Sequence, residues 1–145
     1  MKIRKARKGD VERMLEILES NSLRYPRALA LKELREMFSR SLIRPTYILM
    51  EDNNEVVGFG GFASSWTDNM IYNLFWVNIH PDFKNKGIGK KIVKGLISEV
   101  KKIKEPRAKM VIISTKIPSF YLKLGFKSIT AKYDGDYVLM GKGLR

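Results

Sequence analysis

The sequence contains no cysteine, which excludes a disulfide framework, thiolate catalysis and cysteine-ligated zinc or iron–sulfur sites. Glutamine is also missing. Histidine occurs once, as His80 before Pro81, so a metal site would have to be mainly carboxylate, and no acidic cluster has ligand spacing. No apolar run approaches the roughly 20 residues of a membrane span. The first residues, MKIRKARKGD, lack the apolar segment of a secretory signal. These absences predict a cytoplasmic protein without a membrane partner. Missing Gln and Cys beside abundant Lys, Arg and Ile lean the composition towards heat adaptation.

Acidic residues are scarce too: 15 Asp and Glu stand against 28 Lys and Arg, a formal charge of +13 over 145 residues. Such a balance favours anionic partners, whether phosphorylated cofactors, acidic proteins, nucleic acid or an anionic membrane face, without choosing among them. With 44% hydrophobic residues the chain can build a core, and without repeats or linkers it reads as one domain over residues 1–145.

The pattern along the chain is β-α-α-β-β-β-α-β-α-β-β. Ile3 marks a short first strand, and Asp10 is placed as the N-cap of a helix carrying Val11, Met14, Leu15 and Leu18. A second helical stretch follows Pro26, with Leu31, Leu34, Met37 and Phe38, and ends before Pro45. Strands are expected at Tyr47–Met50 and Val56–Ala63, around an Asp52-Asn53-Asn54 turn, and at Met70–Ile79. A long helix follows from Gly87, with Ile88, Ile92, Leu96, Val100 and Ile103 on one face, until Pro106. Met110–Ile113 reads as a buried strand and Pro118–Leu124 as a short helix closed by Gly125. Ile129–Tyr133 and Tyr137–Met140 flank Asp134-Gly135 as a closing hairpin. This is a mixed α/β (α+β) sheet protein.

The informative segment is Asn78-Ile79-His80-Pro81-Asp82-Phe83-Lys84-Asn85-Lys86-Gly87-Ile88-Gly89-Lys90. Two glycines at a helix start let backbone approach a ligand, and the first helical N–H groups have no internal partner. With the helix dipole they form an anion site suited to a pyrophosphate, and lysines surround it. A P-loop fails, because Lys84 fills its first glycine position and Lys91 its Ser/Thr position. A dinucleotide fingerprint fails as well, because Ile92 fills its third glycine. A helix that merely starts Gly-x-Gly beside solvated lysines is the bland alternative.

In its wider context the segment resembles the GNAT superfamily of acetyl-CoA-dependent N-acetyltransferases. Lys84-Asn85-Lys86-Gly87-Ile88-Gly89 matches that family's Gln/Arg-x-x-Gly-x-Gly/Ala loop at all but the first position. Ser119-Phe120-Tyr121-Leu122-Lys123-Leu124-Gly125-Phe126 is similar to its Phe-Tyr-x-x-x-Gly-Phe helix. The resemblance implies a GNAT-like fold: about seven mostly antiparallel strands, about four helices, and two parallel strands, Met70–Ile79 and Met110–Ser114, splayed apart around the pantetheine arm. It implies main-chain contacts from Val77, Asn78 and Ile79. The loop Lys84, Asn85, Lys86, Gly87, Ile88, Gly89 and Lys90 would hold the pyrophosphate of acetyl-CoA, with Lys84 lacking the planar fork of the usual residue. Tyr121 would protonate or position the leaving thiolate, against the alternative that it only packs with Phe120 and Phe126. Ser114 stands where many relatives carry a CoA-touching Asn.

A base is not evident, because the strand IYNLFWVNI carries no acid. Asn73, Asp68, Asp134 and Asp136 are candidates whose ordinary reading is as strand or turn residues, as is the turn reading for His80. Of Phe62, Trp66, Tyr72, Phe75 and Trp76, at least half are expected in the core and the others along an acceptor cleft. The expected partners are acetyl-CoA and an amine acceptor, a protein or a small molecule, with the chain a monomer or homodimer. The alternatives are a CoA-binding regulatory domain or a basic protein that docks nucleic acid. Ten Lys or Arg between Lys84 and Lys109 make a basic face, but no nucleic-acid module accompanies it.

Overall fold

Period-two and period-3.6 apolar patterns sort the chain into one seven-stranded sheet with helices on both faces; the computed structural model describes residues 1–21 and 25–145. The elements are β1 (Lys2–Lys5), α1 (Val11–Ser20), α2 (Arg27–Arg35), β2 (Thr46–Asp52), β3 (Glu55–Ser64), β4 (Ile71–Ile79), α3 (Ile88–Lys101), β5 (Met110–Thr115), α4 (Pro118–Leu122), β6 (Lys127–Ser128) and β7 (Val138–Gly143). Their order across the sheet is β1-β2-β3-β4-β5-β7-β6. β4 and β5 run parallel, and the other neighbours pair antiparallel. This is the mixed sheet that the element order predicts, in the GNAT-like arrangement that the resemblance implies.

Alternation divides the sheet between two cores. Tyr47 and Leu49 of β2 face α1 and α2, packing with Met14, Leu15, Leu18 and Leu34. Ile48 and Met50 face α3, packing with Ile92, Leu96 and Val100. Side chains of α3 press onto β3: a Cβ on Gly60 would sit 2.9 Å from Leu96 Cδ1 and 3.0 Å from Ile92 Cγ2. Bare backbone at that position is what lets the helix settle there.

Three local expectations change. Asp10 does not cap α1; its carboxylate accepts the Arg7 N–H at 2.7 Å and the Arg4 guanidinium at 2.8 and 2.9 Å, and the Arg4 bond holds its pKa below the ordinary value. The second helix stops at Arg35 and tightens into a 3-10 turn, Glu36–Phe38. The closing hairpin is displaced: β6 covers only Lys127–Ser128 and β7 runs Val138–Gly143. Past Ser128 the ladder loses its spacing, because Ile129 and Thr130 N–H both donate to the Leu139 carbonyl (2.8 and 3.3 Å). The β2–β3 turn is as expected, with Asn53 and Asn54 both at positive φ (50° and 64°), the geometry of a tight hairpin.

β4 positions the site. Phe59 pairs with Asn78 but Gly61 with Phe75, so β4 holds one extra residue. Trp76 absorbs it at φ +49°, a region that bulky residues rarely enter. Consecutive residues Phe75 and Trp76 therefore pack on the α1–α2 side, while Leu74 and Val77 pack on the α3 side. Pairing between β4 and β5 ends at Leu74 and Ile113. Beyond it β5 continues with β7, and Phe75–Ile79 has no β5 partner among the described residues.

Candidate functional site

The chain leaves β4 through a tight turn. His80 Nδ1 accepts the Asp82 N–H at 3.2 Å, a contact of the turn reading. Asn85 (φ +62°) and Gly87 (φ +76°) then bend the backbone through the left-handed region before α3 begins. The Lys91 N–H donates to the Gly87 carbonyl at 3.2 Å, so the amides of Ile88, Gly89 and Lys90 precede the first helical bond of α3. Gly87 supplies no side-chain cap. Three donors and the positive end of a 14-residue helix face one opening.

That opening is a cleft of about 520 Å³ between the end of β4, the start of α3 and α4. Of the residues singled out in the sequence, Val77, Asn78, Ile79, Lys84, Asn85, Gly87, Ile88, Gly89, Lys90 and Tyr121 line it. Lys86 and Ser114 do not. The Lys86 ammonium stands 5.2 Å above the Phe83 ring, outside the cleft wall. Ser114 is exposed on β5, with its hydroxyl bonded to that of Tyr133. Lys84, Lys90 and Lys116 supply positive charge, and no carboxylate is among the lining residues.

Sequence reasoning missed Asn21, Phe83, Lys116, Ile117 and Phe120 as lining residues. Asn21, just past α1, donates through Nδ2 to Asn78 Oδ1 (3.1 Å) and to the Ile79 carbonyl (2.8 Å). It ties the far end of α1 to the free part of β4, a link between positions 57 and 58 residues apart that leaves no local signature. Lys116 and Ile117 were within reach, because they immediately precede the proline that opens α4.

Tyr121 is 4% exposed, its ring edge-on to Phe120 (5.0 Å) and Phe126 (5.4 Å). Its hydroxyl has no hydrogen-bond partner among the described residues, and the side chain borders the cleft. Burial pushes its pKa up to about 12, so the phenol keeps its proton at neutral pH. The packing role and an available O–H donor coexist in one side chain.

None of the acids considered as bases lines the cleft. Asp68 Oδ1 accepts the Met70 N–H at 2.8 Å, Asp136 pairs with Lys132 at 3.1 Å, and Asp134 is an exposed turn residue whose main chain pairs with Tyr137. Asn73 sits within β4, between Ala63 and Ile112. Among the described residues no group of three His, Cys, Asp or Glu could hold a metal ion, and no helix is long and apolar enough to cross a membrane. Of the aromatic cluster, Phe62 and Tyr72 are buried, Phe75 and Trp76 half-buried, and Trp66 is exposed.

Comparison with known proteins agrees with this geometry. The model of the acetyltransferase (GNAT) domain matches residues 44–128, more than half of the chain. An uncharacterized N-acetyltransferase, ycf52, of Pyropia yezoensis is 34% identical over 98 residues, 66% of this chain and 54% of that protein. The match thus spans about half the length of that relative. Among solved structures, a GNAT-family protein from Desulfovibrio desulfuricans superposes with a TM-score of 0.80 at 14% identity, covering 98% of both chains. Rv2747 of Mycobacterium tuberculosis, solved in complex with CoA, superposes with a TM-score of 0.74 at 18% identity over all of both chains. The fold is that of these proteins, and the chain belongs to the GNAT acetyltransferase family.

Proposed function

We propose that this protein is an N-acetyltransferase that moves an acetyl group from acetyl-CoA to a primary amine by direct attack in a ternary complex. The observation that carries the reading is the juxtaposition of the strand-free edge of β4 with the bare amides at the start of α3, in one basic cleft. A CoA molecule has a diphosphate for the amides and an amide-bearing arm for a strand edge, so the residues present fit it. The relatives point the same way: one is named an N-acetyltransferase and another is solved with CoA.

Bound acetyl-CoA would supply a thioester carbonyl, activated towards amines. The chain does the rest. The amides of Ile88, Gly89 and Lys90 neutralise the diphosphate, with Lys84 and Lys90 adding screened charge. Main-chain groups of Val77, Asn78 and Ile79 hold the arm in line, and an amide there polarises the carbonyl. Tyr121 gives its phenolic proton to the departing thiolate. The attacking nitrogen loses its extra proton to water, because the cleft lining offers no carboxylate.

The test is an amine panel assayed with acetyl-CoA for thiol release, beside a CoA-binding titration. Turnover should climb through alkaline pH with the acceptor's own pKa, and Tyr121, at about 12, should stay protonated over that range. A rising limb near pH 6 that is independent of the amine would show an overlooked protein base. CoA binding without turnover on any amine would favour a regulatory domain instead.

A further inference from the structure

A second cavity, of about 430 Å³, lies on the α1–α2 side of β4. Its floor is aromatic. The rings of Tyr47 and Phe75 meet edge-on at 5.9 Å, above Gly61, where a Cβ would come within 2.6 and 2.7 Å of them. Trp76 forms the next wall, directed there by the bulge and braced edge-on by Tyr25 at 5.8 Å. Lining the cavity beside the rings are Glu33 and Glu36, one helical turn apart and half-buried, together with Lys32, which is exposed. The Tyr25 hydroxyl donates to Glu33 Oε1 at 2.6 Å and fixes that carboxylate.

The Tyr47 side chain is 2% exposed and borders the cavity, and among the described residues its hydroxyl has no hydrogen-bond partner. Burial, and then the charge of Glu33, raise its pKa. A hydroxyl that borders the cavity can pair with a polar group on the occupant. Aromatic faces and carboxylates together favour a cation with an apolar body. With two carboxylates against the one ammonium of Lys32, the lining is net acidic on a chain of net charge +13.

We propose that the cavity formed by Tyr47, Phe75, Trp76, Glu33 and Glu36 holds the distal ammonium and methylene chain of an aliphatic diamine or polyamine, and that this class is the acetyl acceptor. The second clause rests on the acetyltransferase reading above, while the binding itself does not. Trp76 borders this cavity and Val77 the basic cleft, and β4 parts from β5 beside them. The near amine, as its free base, would reach the acyl carbon there. Its nitrogen forms the amide bond, the carbon–sulfur bond breaks, water takes the ammonium proton, and Tyr121 returns one to sulfur.

The experiment titrates 1,4-diaminobutane and 1-butanol, which keeps the methylene chain but carries no ammonium, into the full chain by calorimetry, without acetyl-CoA, and titrates acetyl-CoA separately. The diamine should bind saturably and at least tenfold more tightly than butanol. Glu33→Gln/Glu36→Gln should weaken it at least tenfold and leave acetyl-CoA affinity unchanged. Should that double variant fail to fold, Glu36→Gln alone, which spares the Tyr25–Glu33 bond, should still weaken it severalfold. Equal affinity for the diamine and butanol, or carboxamide variants that bind like the wild type, would overturn the site. Transfer to butylamine or a peptide N-terminus as fast as to diaminobutane would overturn the acceptor class while sustaining the acetyltransferase reading. Loss of acetyl-CoA binding would strike that reading and leave the diamine site standing.

Discussion

The cleft at the start of α3 takes most of its lining from one continuous stretch, Val77 to Lys90, whereas the cavity beside α2 draws on α2, its trailing turn, β2, β3 and β4. The first offers main-chain amides and lysines to an anion, and the second offers rings and carboxylates. Recognition by backbone demands little of side chains except that some be absent, so it leaves a glycine spacing in the sequence. Recognition by side chains gathered from distant elements leaves no spacing at all.

Several experiments can break or sharpen that contrast. The largest effect is expected at the cleft: Tyr121→Phe should lower kcat by about 10²–10⁴, with acetyl-CoA binding unmoved and stability altered by under ~0.5 kcal/mol. Retention of more than about half the wild-type kcat would end the general-acid role. Next, Gly61→Ala drives a methyl into Tyr47 and Phe75 (2.6 and 2.7 Å). By the usual cost of overpacking it should lose about 1–3 kcal/mol of stability, read by thermal melting, and diamine binding should fall while acetyl-CoA binding persists. Gly87→Val forces a β-branched residue to φ +76°. Acetyl-CoA affinity should drop at least about tenfold, ~1.4 kcal/mol, with the diamine site untouched; unchanged affinity in a folded protein would refute the loop assignment. The smallest effect belongs to Lys86→Ala. Its ammonium rests on Phe83 outside the cleft, so acetyl-CoA affinity should change by less than about twofold, ~0.4 kcal/mol at low salt.

A further pair tests the frame outside both cavities. Asp10, held by Arg4 and the Arg7 amide, has a lowered pKa, so its contribution is present above the unfolded carboxylate range and is lost as pH falls through the folded value. Asp10→Asn should cost about 1–3 kcal/mol at pH 7, and progressively less in acid, by denaturant melts across pH.

Legibility followed the same division. Strand and helix order came through because amphipathic periods persist over whole elements, as in α3, whose Ile88, Ile92, Leu96 and Val100 are all buried. The loop from Lys84 to Lys90 was readable because its chemistry is local. Asn21 was not, because its partners Asn78 and Ile79 come near only after the sheet assembles. Asp10 was read as a helix cap from local preference, and a guanidinium on β1 claimed it. The closing hairpin was placed late because Asp134-Gly135 is a good turn, but the irregular bonding at Ile129 and Thr130 holds the strands apart before it. In β4 the run IYNLFWVNI is apolar on both faces, so no alternation was available to betray the extra residue.

That extra residue gives the strand two reading frames. Tyr72 and Leu74 address the α3 core in one frame, Val77 and Ile79 address it in the other, and Trp76 is the point where the count slips. A chain shortened by residue 76 would keep every other side chain of β4 on its present face, and its backbone could run straight beside β5 past Leu74. We expect such a protein to fold with a sealed sheet and no measurable acetyl-CoA binding. What separates a split sheet from a sealed one here is then a matter of parity: one codon's length, with the chemistry of every other residue intact.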